Sequence, residues 1–297
     1  LQGMVLVSEV SVSHNKIDGF NQTGILIEPN AAATGVNQLT IHNNSLHGNT
    51  TSAVDANTLG VIRFGHVLTS TSMFTTDLNI TNNVLSGPNV GIYIDLDDQS
   101  ATQGFDLNYV RILENTFSDS STDITLYIAG ISLQHVTNTT PSAFNFEDIT
   151  IRGNLLDVTR GNGIHVYSQQ IDVERLQIQN NVITGTFDAI YLQAPSTTST
   201  WIDVLVQGNT VEQRSSLGDV SGIRLTSATV DWNRVSISGN NVNSVGLNTF
   251  TGKPLLLNLA QNSSAVRNFS ITDNVFYGLR GATSTNYASC DLTILNG

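Results

Sequence analysis

The chain contains few of the residues that soluble proteins use for cross-links and for surface charge. Charged residues make up 12% of its 297 residues, about half the share in an ordinary globular chain, and the only lysines are Lys16 and Lys253. The single cysteine, Cys290, excludes an internal disulfide and leaves the redox compartment open. We expect Cys290 to be a small core residue. No run of about 18 apolar residues occurs, so the sequence predicts no membrane-spanning helix.

Acidic residues outnumber basic ones, which narrows the range of partners. Aspartate and glutamate number 24 against 12 lysines and arginines, giving a formal net charge of −12. Nucleic acids and anionic membranes require a basic face, so we expect neither as a partner. The acidic residues are scattered, which is not typical of a disordered acidic tail. No signal peptide is visible, and because the first residue is Leu1 we expect a processed or truncated chain.

Small polar residues are abundant, and asparagine recurs in a fixed phrase. The chain has 32 asparagines, 34 threonines and 29 serines. In the phrase, two apolar residues stand five and three positions before an asparagine, and a third stands two positions after it. The phrase occurs nine times, at Asn15, Asn44, Asn83, Asn115, Asn154, Asn181, Asn209, Asn240 and Asn274. The spacing runs from 27 residues (154 to 181) to 39 (44 to 83), which indicates a repeat architecture.

Each repeat contains alternating segments that predict β-strands. Residues 149–156 alternate apolar and polar side chains, as a strand with one buried face does. After a polar turn, residues 163–167 alternate again, and residues 171–173 form a weaker segment. Glycine opens most strands of the second kind, and we expect it to provide a sharp corner or a positive φ. The sequence therefore predicts two clear strands and a weaker third in each coil.

The repeated asparagines predict a structural ladder. An asparagine tolerates the left-handed region and hydrogen-bonds the local backbone, so it suits the turn that ends a strand. Stacked coils would place the side-chain amides in register, each donating to its neighbour. We therefore expect these asparagines to point inward or to cap a corner, and not to bind sugar.

A second recurring position lies eight residues before each ladder asparagine and is mostly large and apolar. We interpret it as an inward-facing position of the third strand, with Trp201 and Trp232 stacked in adjacent coils of the core. The alternative is a surface aromatic platform for sugar. The nine residues are Val7, Val36, Thr75, Leu107, Phe146, Val173, Trp201, Trp232 and Val266.

Taken together, the nine phrases and the glycine-led strands resemble the right-handed parallel β-helix of the pectin-lyase-like superfamily. The resemblance covers essentially the whole chain and implies an all-β, single-stranded solenoid of about nine coils with an asparagine ladder. A leucine-rich-repeat horseshoe is the alternative, because the phrase around Asn15 also fits that consensus. Against it, the positions are mainly valine and isoleucine, which favour strands, and the second half of each repeat looks like a strand.

We interpret residues 1–297 as a single domain. The 39-residue repeats require longer loops, which we place at residues 48–59 or 65–77 and at residues 134–147; such loops on a rigid scaffold are where function concentrates. Strand-like segments stand near both ends without a visible cap, and open strand edges favour aggregation. We therefore expect the chain to be a segment of a longer polypeptide or to stack on a partner.

Outward side chains of the glycine-led strands predict a binding face. Reading one residue per coil gives Leu26, Arg63, Tyr93, Ser132, His165, Tyr191 and Arg224. Two positions further on, the residues are Glu28, Gly65, Asp95, Gln134, Tyr167, Gln193 and Thr226. Successive strands lie about 4.8 Å apart, so aromatic, arginine and histidine side chains would line one face. We select Tyr93, His165, Tyr167, Tyr191 and Arg224 as ligand-binding residues for an acidic or neutral glycan. The structural alternative is an ordinary solvated sheet.

One carboxylate cluster could be catalytic. Asp95, Asp97 and Asp98 lie close together in the sequence, and paired carboxylates serve glycoside hydrolysis or bind Ca²⁺. We assign these three residues and Arg63, with His66 as an additional member, to a catalytic site if one exists. An acidic turn on a solvated loop is the alternative reading.

The catalytic signatures of related enzymes are mostly missing. The chain has no Asn-Thr-Asp, no Arg-Ile-Lys and no Asp-Pro-His motif, and its Gly65-His66 precedes the paired aspartates, whereas it follows them in polygalacturonase-like enzymes. The histidines show no metal spacing, so no metal site is predicted and no cofactor, apart from Ca²⁺ as the ion that the carboxylates could take. Whether the chain is an enzyme stays open, with the balance against it.

Three functions are consistent with these features. The first is an extracellular, cell-surface or virion β-helix that acts as a structural shaft and recognises a polysaccharide or cell-surface glycan, similar to phage tailspikes and large adhesins. Such a shaft could form a homotrimer or stack end to end with flanking domains. The second is a polysaccharide lyase or glycoside hydrolase of the same superfamily that acts on an acidic polysaccharide. The third is a purely structural filament segment.

Overall fold

The computed structural model describes most of the chain and shows only strands in the part it describes. The described residues are 7–21, 23–27, 36–49, 60–67, 73–87, 90–97, 105–119, 129–135, 145–159, 161–169, 171–185, 187–195, 199–213, 220–227, 230–244, 253–259, 266–278, 283–284 and 290–294. Within these ranges there is no helix, and so none that could cross a bilayer.

The described ranges contain twenty-eight strands. They are β1 (Val7–Ser13), β2 (Lys16–Phe20), β3 (Ile25–Ile27), β4 (Val36–His42), β5 (Ser45–Gly48), β6 (Ile62–Val67), β7 (Met73–Thr81), β8 (Val84–Gly87), β9 (Ile92–Asp97), β10 (Phe105–Leu113), β11 (Thr116–Asp119), β12 (Ala129–His135), β13 (Asn145–Arg152), β14 (Leu155–Val158), β15 (Asn162–Ser168), β16 (Asp172–Gln179), β17 (Val182–Gly185), β18 (Ile190–Ala194), β19 (Thr200–Gln207), β20 (Thr210–Gln213), β21 (Ser221–Ser227), β22 (Asp231–Ser238), β23 (Asn241–Ser244), β24 (Lys253–Asn258), β25 (Val266–Thr272), β26 (Val275–Gly278), β27 (Thr283–Ser284) and β28 (Cys290–Ile294).

Every third strand joins the same sheet, which gives three parallel sheets. Sheet A has ten strands in the order β1-β4-β7-β10-β13-β16-β19-β22-β25-β28. Sheet B has nine, β2-β5-β8-β11-β14-β17-β20-β23-β26, and sheet C has nine, β3-β6-β9-β12-β15-β18-β21-β24-β27. Each coil therefore contributes one strand to each sheet, and the chain forms a right-handed parallel β-helix. The predicted fold class is confirmed.

The strand assignment within a coil differs from the prediction. The position eight residues before the ladder asparagine does not lie on a separate weak strand, because it shares one sheet A strand with the apolar positions that follow. Two inward positions three residues apart cannot both fit a strict alternation. In the first nine strands of sheet A, a residue with φ between 51° and 63° lies between them and absorbs the extra residue; the set is Glu9, Gln38, Asp77, Tyr109, Asp148, Arg175, Asp203, Arg234 and Asn268.

The corner between sheets A and B carries the asparagine ladder. The backbone N–H and the side-chain Nδ2 of Asn83 both donate to Oδ1 of Asn115, at 3.0 and 2.9 Å. The same Nδ2 also donates to the carbonyl of Ile41 in the preceding coil, at 2.9 Å. Side-chain links of this kind run without a gap from Asn15 to Asn274. The predicted ladder is confirmed, and it satisfies the backbone groups that the turn leaves unpaired.

The interior is an aliphatic core with the two tryptophans stacked inside it. Trp201 and Trp232 are fully buried, and their ring centroids lie 4.8 Å apart with the planes tilted by 36°. This confirms the prediction of core packing and excludes a surface sugar platform at these two positions. Because each coil repeats the same inward positions, isoleucine, leucine and valine side chains stack on like residues from coil to coil.

The glycines that precede the sheet C strands serve close packing, and the expected positive φ is wrong for them. Gly91, Gly130, Gly163 and Gly222 are not among the residues with positive φ. A Cβ at Gly130 would lie 2.7 Å from the carbonyl oxygen of Gly163 in the next coil, and one at Gly163 would lie 2.3 Å from Ile183 Cγ2. Successive coils and the side chains of sheet B therefore approach too closely at this corner for any side chain larger than hydrogen.

Chain length varies at the two corners that flank sheet C, and not at the ladder corner. In the shortest coil, β14 ends at Val158 and β15 begins at Asn162. In a 39-residue coil, β5 ends at Gly48 and β6 begins at Ile62. The predicted loops fall mainly at these two corners, although residues 50–59, 68–72 and 136–144 lie outside the described residues. Sheet C is thus the face that the variable segments border.

Candidate functional site on sheet C

The outward residues of sheet C lie in two columns whose register matches the prediction. The first column is Leu26, Arg63, Tyr93, Ser132, His165, Tyr191 and Arg224, each paired directly with the next. The second column is Gly65, Asp95, Gln134, Tyr167, Gln193 and Thr226; Glu28, which was predicted to begin it, lies outside the described residues. Since neighbouring strands are about 4.8 Å apart, the six residues from Arg63 to Arg224 span roughly 24 Å.

The two columns form a packed outer layer and not a plain solvated face. His165 and Ser132 are buried although both lie on the outer side of the sheet, while Leu26 at the low-numbered end is 44% exposed. Tyr93, Tyr167 and Tyr191 are half-buried. The side chains therefore cover one another, and the interpretation as an ordinary solvated sheet does not describe this surface.

His165 is held as a neutral imidazole in the middle of the first column. Its Nε2 lies 3.2 Å from Oε1 of Gln193, and its Nδ1 lies 3.4 Å from Nε2 of Gln134. The first contact requires a proton on Nε2 and the second requires a lone pair on Nδ1. Burial lowers the pKa of His165 to about 4, partly offset by the hydrogen bond that His165 donates to Gln193. The ring is therefore uncharged at neutral pH.

The ring of Tyr191 is covered on both faces by its column neighbours. The His165 ring stacks on it with a centroid distance of 5.0 Å and an interplanar angle of 19°. The guanidinium carbon of Arg224 lies 4.8 Å from the Tyr191 centroid. A sugar therefore cannot stack on this ring, and Tyr191 offers its edge and its hydroxyl, which accepts a hydrogen bond from Thr226 at 3.2 Å. At Tyr191, therefore, the predicted aromatic face is a stack of side chains that exposes no open ring face.

Near the low-numbered end, an arginine of the first column pairs with an aspartate of the second column. Nη2 of Arg63 donates to Oδ2 of Asp95 at 3.3 Å, and these side chains are only 14% and 16% exposed. The guanidinium carbon also lies 5.9 Å from the ring centroid of Tyr93, within the range of a cation–π contact.

The other end repeats this arrangement with an aspartate that the sequence reasoning missed. Nη1 of Arg224 donates to Oδ2 of Asp188 at 3.0 Å, and the backbone N–H of Ser221 donates to Oδ1 at 2.6 Å. Burial raises the pKa of Asp188, while the nearby Arg224 and the Ser221 N–H act in the opposite direction. Asp188 stands just before β18, one coil before Arg224, and this placement before a sheet C strand was the signal that could have identified it.

Amide and hydroxyl groups connect the two ends. Tyr93 donates to Oε1 of Gln134 at 3.3 Å, and Nε2 of Gln134 donates to the hydroxyl of Ser132 at 3.0 Å. Gln193 holds His165, as described above. Gln134 and Gln193 belong to the predicted second column but were not selected as binding residues, because sequence alone does not show which side chains contact each other across columns.

The predicted catalytic residues are only partly brought together. Arg63 and Asp95 form the ion pair described above. Asp97 ends β9 in register with Val67, but its side chain, like that of His66, lies outside the described part, and so does all of Asp98. An arginine guanidinium stays protonated in proteins, so Arg63 paired with Asp95 is suited to binding and poorly suited to removing a proton.

No candidate metal centre occurs in the part of the chain that the structure describes. There, no group of three or more histidine, cysteine, aspartate or glutamate side chains lies close enough to share an ion. A Ca²⁺ site that uses Asp97 and Asp98 stays a prediction.

A separate set of charges follows the bend of sheet A. We call Asp148, Arg175, Asp203 and Arg234 the corner charge column; they occupy the positive-φ position of four successive coils. Nε of Arg175 lies 2.6 Å from Asp148, and Nη2 of Arg234 lies 2.7 Å from Asp203. The hydrogen bond from Arg234 lowers the pKa of Asp203. These charges alternate in sign and neutralise one another on a solvent-exposed edge.

Comparison of the chain with protein-family models, with curated proteins and with solved structures gave no match. The function must therefore be argued from the residues of this chain and the arrangement described above.

Proposed function

We propose that the chain is a surface β-helix that acts as a structural shaft and recognises a glycan along the outer face of sheet C. The observation that carries this proposal is the packed outer surface formed by both columns from Arg63 to Arg224 together with Asp188, which we call the stripe. In the stripe, stacking and hydrogen bonds fix side chains that would otherwise be mobile on a sheet surface. Binding sites gain affinity when their groups are held in place before the ligand arrives. Ligand pockets also combine apolar contact area with a few fixed polar groups.

The composition and the architecture support the same proposal. A surface with few lysines and many hydroxyl and amide side chains suits contact with carbohydrate, and a solenoid about nine coils long suits a spacer. Together with the resemblance of the repeat to the pectin-lyase-like superfamily, these features support a protein that acts outside the cell, on a cell surface or on a virion, as tailspikes and adhesins do.

A shaft of this kind would assemble as a homotrimer or by end-to-end stacking with flanking domains. Light scattering of the purified chain distinguishes these assemblies, because a closed trimer has a fixed mass whereas end-to-end stacks grow with concentration.

A polysaccharide lyase or glycoside hydrolase is the second candidate, and one observation favours it. Arg63 and Asp95, two of the predicted catalytic residues, meet on the face that the variable segments border. The permanent charge of Arg63 makes the pair a better anchor for substrate than a source of acid or base, so we place this candidate behind the binding function.

The test is a binding screen against a polysaccharide panel with a matched pair of tyrosine variants. Tyr191→Ala should weaken binding by at least about tenfold, equivalent to about 1.4 kcal/mol, because it releases both His165 and Arg224. Tyr277→Ala is the control, since Tyr277 is 62% exposed on sheet B and remote from the stripe. Tyr191→Phe keeps the stack and loses only the hydroxyl, so we expect an intermediate effect.

Equal losses from Tyr191→Ala and Tyr277→Ala would contradict the proposed site, and no binding across the panel would leave only the structural filament. The same panel is assayed for new reducing ends and unsaturated products. If such products appear with the unmodified chain and are absent with Asp95→Ala, the enzyme function replaces glycan binding as the proposal.

A further inference from the structure

We infer that the glycan recognised by the sheet C stripe is uncharged. This inference rests on the proposed function and adds the chemical class of the ligand. It follows from the charge balance of the stripe, from the hydrogen-bonding groups that it presents and from the charge of the whole chain.

Both arginines of the stripe are already neutralised by an aspartate. Asp95 lies 3.3 Å from Arg63 and Asp188 lies 3.0 Å from Arg224. Both carboxylates are largely shielded from water, with exposures of 16% and 8%, so solvent screens the two pairs less than it would screen exposed ones. A carboxylate or sulfate of a ligand would have to compete with these built-in partners. The arginines are therefore arranged to position neighbouring groups and not to capture an anion.

The middle of the stripe contributes no charge at neutral pH. His165 is the only ionisable base among the described residues there, and the glutamines on its two sides fix it as the neutral tautomer. A second proton on Nδ1 would face the Nε2 amide of Gln134, which is itself a donor. The low pKa of His165 agrees with this geometry. The remaining groups are tyrosine, serine, threonine and glutamine side chains.

These groups match the hydroxyls of a sugar. Tyrosine hydroxyls and glutamine amides both donate and accept hydrogen bonds, as sugar hydroxyls do. The edge of the Tyr191 ring provides apolar surface, while its covered faces exclude stacking as the main contact. The stripe therefore recognises a neutral polyhydroxylated chain by hydrogen bonds and edge contacts along roughly 24 Å, at about 4.8 Å per coil.

The whole chain also disfavours an acidic polymer. With a net charge of −12, its average field repels a polyanion at low ionic strength. Both cations of the stripe are already paired with an aspartate. An uncharged polysaccharide meets no such barrier.

The experiment compares neutral and acidic probes of equal length at two salt concentrations. The neutral probes are hexasaccharides of glucose, mannose, galactose and N-acetylglucosamine; the acidic probes are oligogalacturonate and a sulfated galactan fragment. We expect at least one neutral probe to bind, with an affinity that changes less than about twofold between about 0.05 M and about 0.5 M NaCl. Tyr191→Ala should weaken that binding by at least about tenfold.

A charge variant tests the same point in the opposite direction. Asp188→Asn keeps an oxygen for the Ser221 N–H but removes the charge that neutralises Arg224, so binding of the acidic probes should increase by about tenfold over the unmodified chain. Asp203→Asn is the matched control, because it removes one negative charge from the corner charge column without altering sheet C, and it should give no such increase.

The outcomes separate the two proposals. Tight, salt-sensitive binding of an acidic probe by the unmodified chain overturns the uncharged ligand and leaves glycan recognition intact. Failure of every neutral and acidic probe removes glycan recognition itself, and the inference with it. An equal gain in Asp188→Asn and Asp203→Asn would show that total charge, and not the Arg224 pair, sets the selectivity, and would also overturn the inference.

Discussion

Two columns of side chains run the length of this β-helix, one at the inner corner between sheets A and B and one on the outer face of sheet C. The inner column repeats the same residue in nine coils, and each asparagine donates to the next. The outer column has the same spacing but changes residue at every coil, from Arg63 through Ser132 to Arg224. Both are packed, and both consist of contacts between neighbouring coils.

The difference separates what the coil needs from what a ligand needs. A repeated residue answers a requirement that recurs in every coil, here the unpaired backbone groups of a two-residue corner. Different residues at the same position of successive coils serve a role that is not repeated in every coil. An example is the arginine–aspartate pair that stands at each end of the stripe and at no described position between. Repetition therefore indicates the scaffold, and ordered variation indicates the site.

The largest effect should come from breaking the inner column in its middle. Asn154→Ala removes the acceptor of the Asn115 backbone N–H and Nδ2, at 2.9 and 3.1 Å, and the donor to Ile112, at 2.9 Å. Each buried group left unpaired costs about 1–3 kcal/mol. We therefore expect the free energy of unfolding, measured by denaturant titration, to fall by about 3–5 kcal/mol. Asn274→Ala should lower the free energy of unfolding by less, because the hydrogen bonds of Asn274 are only partly buried. Equal losses in the two variants would contradict this explanation.

The outer column should show its packing through a pH dependence. Burial lowers the pKa of His165 in the folded state to about 4 from its ordinary value of 6.5. As the pH falls from about 6.5 to about 4, the unfolded chain takes up a proton that the folded chain does not. The contribution of His165 to the free energy of unfolding is therefore fully present above about pH 6.5, and it declines by up to about 3 kcal/mol as the pH falls to about 4.

The measurement is the free energy of unfolding as a function of pH, with His165→Gln as the reference. Glutamine does not titrate and can still bond to its amide neighbours, so subtracting its curve removes the contribution of the carboxylates. If the variant keeps the full decline between these pH values, His165 is not held neutral and the outer column is looser than described.

The smallest effect should come from the corner charge column, which is repeated in position but lies in solvent. Arg175→Met leaves Glu147, Asp148 and Glu174 as neighbouring like charges. Because Arg175 is 41% exposed and exposed ion pairs contribute little, the thermal midpoint should drop less than in Asn154→Ala. Added salt should remove most of the drop. A salt-independent loss as large as that of Asn154→Ala would show that this edge is part of the core structure.

The fold and the register of the site could be predicted from sequence, because both depend on spacing. The nine asparagine phrases fix the coil, and counting from the glycine-led strands places Tyr93, His165 and Tyr191 in one line. The bend of sheet A was also available in the sequence, since inward positions such as Val173 and Leu176 stand an odd number of residues apart. That spacing is incompatible with a strict alternation and was interpreted as a separate strand.

The contacts of the site could not be predicted, because they depend on side-chain rotamers and not on spacing. Sequence places Arg224 beside Tyr191 but does not show that the guanidinium covers the ring or that Asp188 holds it. The sequence also assigns His165 to an outward position but does not show that neighbouring side chains bury it. The close approach of successive coils at the glycine corner could not be predicted either, because it depends on how the interior packs.

The asparagine ladder also gives the solenoid a polarity. From Asn15 to Asn240, each ladder amide donates to the ladder asparagine of the next higher-numbered coil, so the aligned dipoles add along the axis as peptide dipoles do in a helix. One terminus of the stack therefore presents donors and the other presents acceptors. Any further coil, from the same polypeptide or another, can extend the ladder only head to tail, since a reversed coil would set like groups against each other.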